Sequence, residues 1–277
     1  MLKAVGVEPH SVQRDRASAP VILLKDKADH LIRYDPADEW VAQQADDLRA
    51  YNALIAAQDI SLPGWTGTSR STDLTRIYNG GWDRGGRHFG GWWQGVPSKQ
   101  RPGILINGTA TTELDYGGFF PRALYHLAGQ EMPGDPYDIP EVRHLIEGWG
   151  LAWEAGGRKA IKRLVNIAIS ARSKNAFLTE ESIEQLGLPK ELIRQCVPLM
   201  IKHHHPIKGR LLKGASLGLM NLESDICQSI ICSGLKDGVV ILPIFDSFIA
   251  TSAEAGYLRQ RMVSEYQSRL GYAPEVH

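Results

Sequence analysis

The stretch Val239-Val240-Ile241-Leu242-Pro243-Ile244-Phe245-Asp246-Ser247-Phe248-Ile249-Ala250 decides the fold. β-branched and aromatic side chains dominate it, which favours strands over helix. It reads as a buried β-hairpin, with strands over 239–244 and 248–250 and Asp246 at the join. A lone carboxylate between Ile244 and Phe248 is costly to bury without a partner. Asp246 therefore either caps a tight turn or answers to a charge outside the hairpin.

A second hairpin lies upstream. Gly103–Asn107 and Ala110–Asp115 read as strands joined by a tight Asn107-Gly108 turn. Asp115 ends that run and opens Tyr116-Gly117-Gly118-Phe119-Phe120-Pro121-Arg122. Helices are expected over 118–129, 140–154, 157–176, 179–186, 189–204 and 214–236. The pattern is α+β, a small antiparallel sheet interrupted by a mainly helical insertion. On the 157–176 helix, Arg158, Lys162, Asn166 and Ser170 recur every four residues and share one face. Ile161, Leu164, Val165 and Ala168 line the other. Two strand-borne carboxylates can hold two divalent metals, and cations one helical turn apart can hold a triphosphate. Asp115, Asp246, Arg158 and Lys162 together carry the chemistry of nucleotidyl transfer.

Those residues carry a resemblance. Asp115 to Arg122 resembles motif A of family A DNA polymerases, which runs Asp-Tyr-Ser-x-x-Glu-x-Arg. Arg158-x-x-x-Lys162 resembles their motif B. Phe245-Asp246-Ser247-Phe248 resembles motif C, which reads His-Asp-Glu in those DNA polymerases and His-Asp-Ser-Phe in single-subunit phage RNA polymerases. The motifs stand in order, and the resemblance covers roughly residues 70 to 260. It implies a right-hand polymerase-like α+β core. Residues 1–62 would form a short helical thumb-like part, 63–130 a palm with motif A, 131–213 helical fingers with motif B, and 214–277 a palm with motif C and a C-terminal helix.

The same resemblance implies two Mg²⁺ ions, or Mn²⁺ in their place, on Asp115 and Asp246. It implies Arg158 on the incoming triphosphate and Lys162 as general acid to the leaving pyrophosphate. Phe120 takes the position of the steric-gate glutamate, where a ring would exclude a ribose 2′-hydroxyl; its competing reading is plain core. Tyr116 falls beside the sugar. Asn166 stands where the family has an aromatic and Ser170 where it has Tyr, so base stacking departs from the pattern. Arg87, in Gly85-Gly86-Arg87-His88-Phe89-Gly90-Gly91, resembles the Thr-Gly-Arg element laid against primer-template. Arg122 matches the terminal arginine of motif A, and Arg163 and His205 read as further nucleic-acid contacts. The implied partners are primer-template nucleic acid and nucleoside triphosphates, with accessory replication proteins left open. The implied activity is that of a small DNA polymerase without proofreading. A primase or RNA polymerase of the phage type, a catalytically silent nucleic-acid-binding module and a non-templated nucleotidyltransferase stay open beside it.

The 277 residues are 43% hydrophobic, enough for a real core in one large or two small domains. Formal net charge is +0, whereas a nucleic-acid binder is more usually basic. Charge is local instead. Arg158, Lys159, Lys162, Arg163, Arg172 and Lys174 fall within 156–175 without an acid among them. Cys196, Cys227 and Cys232 form no metal or disulfide pattern and suggest reduced thiols in a cytoplasmic protein. No signal-peptide core is apparent at the start, and no apolar run approaches the ~20 residues that span a bilayer. Asp35-Pro36 reads as the start of a helix running to about Gln58, with Val41, Ala45, Leu48, Tyr51 and Ile55 as its apolar stripe. Trp82, Trp92 and Trp93, in a stretch poor in periodicity, read first as core. His203-His204-His205 point in different directions on a helix, which disfavours a metal site. Thr251 and Glu254 read as a capping box for the last helix.

Overall fold

A computed structural model describes residues 19–277. The start of the chain, read above for a signal-peptide core, lies outside them. Helix α1 (Glu39–Ala56) begins later than its Asp-Pro signal suggests. Asp35 closes its own turn by accepting from Ala37 N–H, and Asp38 becomes the cap, accepting from Trp40 and Val41 N–H. The predicted stripe of α1 is buried throughout.

Two sheets form. The strands β1 (Ile22–Lys25), β3 (Thr75–Asn79) and β4 (Gly85–Phe89) make one, in the order β1-β3-β4. The second has the order β2-β5-β6-β8-β7, from β2 (Ile60–Ser61), β5 (Leu105–Ile106), β6 (Thr109–Asp115), β7 (Leu242–Ile244) and β8 (Ser247–Thr251). Asn107 (φ 51°) and Gly108 (φ 74°) turn β5 into β6, the two positive angles of a type I′ turn. β6 pairs antiparallel with β8, so that Leu114 faces Phe248 and Asp115 faces Ser247. Chain positions some 130 residues apart thus meet at one sheet end.

Between β6 and β7 run α2 (Phe119–Leu127), α3 (Pro140–Gly148), α4 (Arg158–Ser170), α5 (Glu180–Leu186), α6 (Lys190–His203) and α7 (Ser216–Asp237). α3 stops early because Gly150 leaves the helical region at φ 78°. α4 stops at Ser170 because Ala171 is extended. Thr179 caps α5 through Ser182 N–H at 3.2 Å. The apolar face of α4 is fully covered: Ile161, Leu164, Val165 and Ala168 are each 0% exposed. Burying each large apolar side chain contributes ~1.5–3 kcal/mol, so this face fixes which side of α4 looks outward. α8 (Ala255–Leu270) closes the chain, packed on α7 and the second sheet. Its expected capping box does not form: Thr251 Oγ1 donates instead to Glu254 Oε2 at 2.7 Å, a side-chain pair that precedes the helix, and neither side chain accepts from a backbone N–H there. The three cysteines are free thiols. Among the described residues, no helix is long and apolar enough to cross a membrane.

Candidate active site

Asp246 is the second residue of a two-residue turn between Ile244 and Ser247. The first, Phe245, sits at φ 60°, and Asp246 does not share that sign, which is the type II′ pattern. Glycine is the residue that adopts this position without strain. A bulky aromatic held there is a stored cost that the surroundings must impose. Those surroundings are visible. The Phe245 ring packs edge-on to Phe89 at 5.5 Å, and the Arg87 guanidinium lies over it at 4.7 Å.

Asp115 ends β6 beside that turn. Tyr116 N–H donates to the Asp246 carbonyl at 3.2 Å. On the other edge, residues 275–277 run alongside: His277 N–H donates to the Asp115 carbonyl at 3.0 Å and Gly117 N–H to the Glu275 carbonyl at 2.9 Å. Ser247 donates its hydroxyl to Glu113 Oε1 (2.8 Å), and Glu113 Oε2 pairs with Arg101 at 2.9 Å. Asp115 keeps an exposed edge, while the atoms crowded around its carboxyl push it up to about 7, first by lost hydration and then by the neighbouring Asp246 charge, against the pull of Lys162. Burial also raises Asp246, opposed by its own backbone N–H, Arg87 and Lys162. Two crowded carboxylates short of positive charge are a hard-oxygen donor set that fits Mg²⁺ or Mn²⁺. Mg²⁺ keeps water and takes substrate phosphate, so it needs no all-protein cage. Among the described residues, no group of three His, Cys, Asp or Glu forms one.

Next to these aspartates opens a cavity of about 150 Å³. Arg87 from β4, Tyr116 and Phe120 from the end of β6 and the start of α2, Lys162 and Asn166 from α4, and Asp246 from the turn all line it. Six predicted residues from four separated segments therefore share one space. Asp115 stands beside it. Arg158 faces outward one turn before Lys162 and pairs with Asp135 at 2.6 Å.

Other predicted residues lie elsewhere. Arg122 turns inward and is buried. Its guanidinium donates to the carbonyls of Gly117 (2.8 Å), Met132 (2.9 Å) and Gly134 (2.8 Å) and to the Glu275 carboxylate. Four of its five N–H groups are used within the fold, because α2 carries Arg122 on its packed side. Arg163 sits one residue past Lys162 and so on a different face of α4, where it donates to the Gln185 carbonyl. His205 is exposed on the short turn after α6 and is not among the residues that line the cavity. Tyr116 borders the cavity, but its ring packs in the core against Phe119, Phe248 and Tyr266 and its hydroxyl donates to the Met262 carbonyl at 2.7 Å. Of the tryptophans, Trp92 and Trp93 are core and Trp82 packs in an aromatic cluster with Tyr34, Trp40 and Tyr78. His204 is buried against the Tyr125 hydroxyl at 3.1 Å.

Two residues of the site are not read from sequence. Glu223 on α7 accepts from Arg87 Nε (3.0 Å) and Nη2 (2.5 Å) and is 2% exposed. Burial pushes its carboxyl up to about 8 against the pull of Arg87, with Asp246 and Asp115 adding to the rise. Its signal is a Glu one turn from Leu219 and Cys227 on an otherwise apolar stripe. The second is Tyr137, from the connection between α2 and α3, whose buried ring lines the cavity. Burial and then the charge of Asp246 raise its phenol well above the usual value.

No family model matches the chain, and no curated protein sequence matches it. Among solved structures it is similar to the POL domain of Pol1 from M. smegmatis in complex with DNA primer-template and dNTP, at 12% identity and a TM-score of 0.46. The likeness covers 86% of this chain and 50% of that one, so the chain spans half the length of that structure. It is too coarse to assign any residue a role.

Proposed function

We propose that this chain catalyses template-directed nucleotidyl transfer, as a small DNA polymerase. The observation that carries the reading is the shared cavity, where Arg87, Lys162 and Asn166 face Asp246 with Asp115 at its side. Asp115 and Asp246 would hold two Mg²⁺ ions, whose positive charge would favour an ionised primer 3′-hydroxyl and a phosphate leaving group. Lys162, on the exposed face of α4, would bind the triphosphate and give its proton to the departing pyrophosphate. Arg158, one turn away, would hold the outer phosphates once it leaves Asp135. Phe120 would narrow the space at the sugar. Arg87, clamped by Glu223 and stacked on Phe245, would set the primer end. On this reading 63–130 and 214–277 form the palm, 131–213 the fingers and the described residues before 63 a thumb-like part.

A silent binding module has no use for a cationic helix face opposed to two crowded carboxylates. Ribonucleotide use, as in a primase, is the reading that Phe120 argues against. Primer extension with each nucleotide pool, on DNA and RNA templates, tests all three. Incorporation of dNTPs supports the proposal, and its absence with every pool overturns it.

A further inference from the structure

Arg158 and Lys162 stand four residues apart on α4, and like charges at that spacing repel. Something must fix both where a triphosphate could meet them. The connection from Met132 to Ile139 supplies two groups for this. Asp135 accepts from Arg158 Nε at 2.6 Å. Two residues on, the Tyr137 ring lies under both cations, with Arg158 Cζ at 5.5 Å and Lys162 Nζ at 5.7 Å from its centroid. An aromatic face attracts a cation through its quadrupole at such distances.

The connection is itself held against the catalytic strand. Arg122 binds the Met132 and Gly134 carbonyls. Gly118 lies at φ 63°, and a Cβ there would come within 2.6 Å of Pro136 Cγ. The close seat of Pro136 on the segment that follows Asp115 thus requires glycine. Tyr137 is therefore referenced to Asp115 through four residues of chain, and the two cations are referenced to Tyr137.

We infer that Asp135-Pro136-Tyr137 sets the phosphate-facing cations, with Tyr137 as a positioning residue for Lys162 and Arg158 and Asp135 as an internal stand-in for phosphate on Arg158. The inference rests on the proposed reading of α4 as a triphosphate-binding face. It adds to that reading the element that aligns the face and an anion that the substrate must displace. It also says where the aromatic absent from α4 is replaced: Tyr137 brings a ring into the same cavity from a different segment.

The test is calorimetric titration of inorganic tripolyphosphate into the full chain and three variants. Tyr137→Phe keeps the ring and binds within about twofold of wild type. Tyr137→Leu keeps bulk without the quadrupole and binds about tenfold more weakly. Asp135→Asn removes the competing anion and binds several-fold more tightly. Opposite signs for the last two exclude a general loss of fold, which would weaken both. The inference is overturned if wild type does not bind tripolyphosphate, if Tyr137→Leu binds like wild type, if Tyr137→Phe loses as much as Tyr137→Leu, or if Asp135→Asn weakens binding. Tripolyphosphate binding with the expected variant pattern, alongside no primer extension, would overturn the polymerase reading and leave this inference standing.

Discussion

Arg122→Met separates a structural arginine from a nucleic-acid contact. Sequence resemblance puts Arg122 on primer-template, whereas its guanidinium is spent on three carbonyls and Glu275. The substitution keeps the stem and removes every donor. The Met132 carbonyl is buried and loses its partner outright, and those of Gly117 and Gly134 are partly buried. An acceptor stranded without water costs ~1–3 kcal/mol, and partial burial lowers that. Glu275 retains 45% of its side-chain surface and is rehydrated, so it adds little. The sum is ~3–5 kcal/mol, which for a chain of this size lowers the melting temperature by on the order of 10 °C. Urea unfolding of both proteins measures the loss. Primer-template affinity, measured well below the melting transition, should stay within twofold with an unchanged salt slope. A stability loss under ~1 kcal/mol, with weaker binding and a slope reduced by about one charge, would refute the structural role.

Lys162→Ala should slow incorporation by ~10²–10⁴-fold with primer-template affinity retained, and a change in affinity alone would remove the general-acid role. Phe120→Ala should raise ribonucleotide relative to deoxyribonucleotide use in paired kcat/KM measurements, since the ring lines the cavity; an unchanged ratio in a folded variant returns Phe120 to the core. Burial holds His88 at about 3 and His204 at about 4, below the ~6.5 of an unfolded histidine. Between those values the unfolded chain binds more protons, so their stability is fully present above ~6.5 and drains away as pH falls toward 4. The raised carboxyls of Asp115, Asp246 and Glu223 titrate with the opposite sign over the same window; in a chain carrying Asp115→Asn, Asp246→Asn and Glu223→Gln, a melting temperature that is flat from pH 7 to pH 4 would contradict that.

The hairpin around Asp246 was legible because β-branched residues and a single acid leave little else to make of 239–250. The Asn107-Gly108 turn and the two faces of α4 were legible for equally local reasons. β3 and β4 were not. They are five residues each, joined through Gly80 and Gly81 and interrupted by a register shift at Ile77/Tyr78. Arg76 within them is 1% exposed, against the polarity pattern, because Asp225 and Gln44 reach it from distant helices. Tyr137 was hidden for a related reason. It lies in an irregular Pro-rich connection, and nothing local shows that folding brings it under α4. Arg122 misled because a motif records a residue's type and not the direction its helix turns it.

The most direct measurement of the central claim is primer extension with Mg²⁺ by wild type, Asp115→Asn and Asp246→Asn, each shown to unfold at the wild-type temperature. Asparagine keeps the size of the side chain and removes the charge that a divalent ion needs. Wild type should add nucleotides, and either variant should retain less than a few per cent of that rate. Addition by both variants near the wild-type rate, or none by wild type with any nucleotide pool, would contradict it.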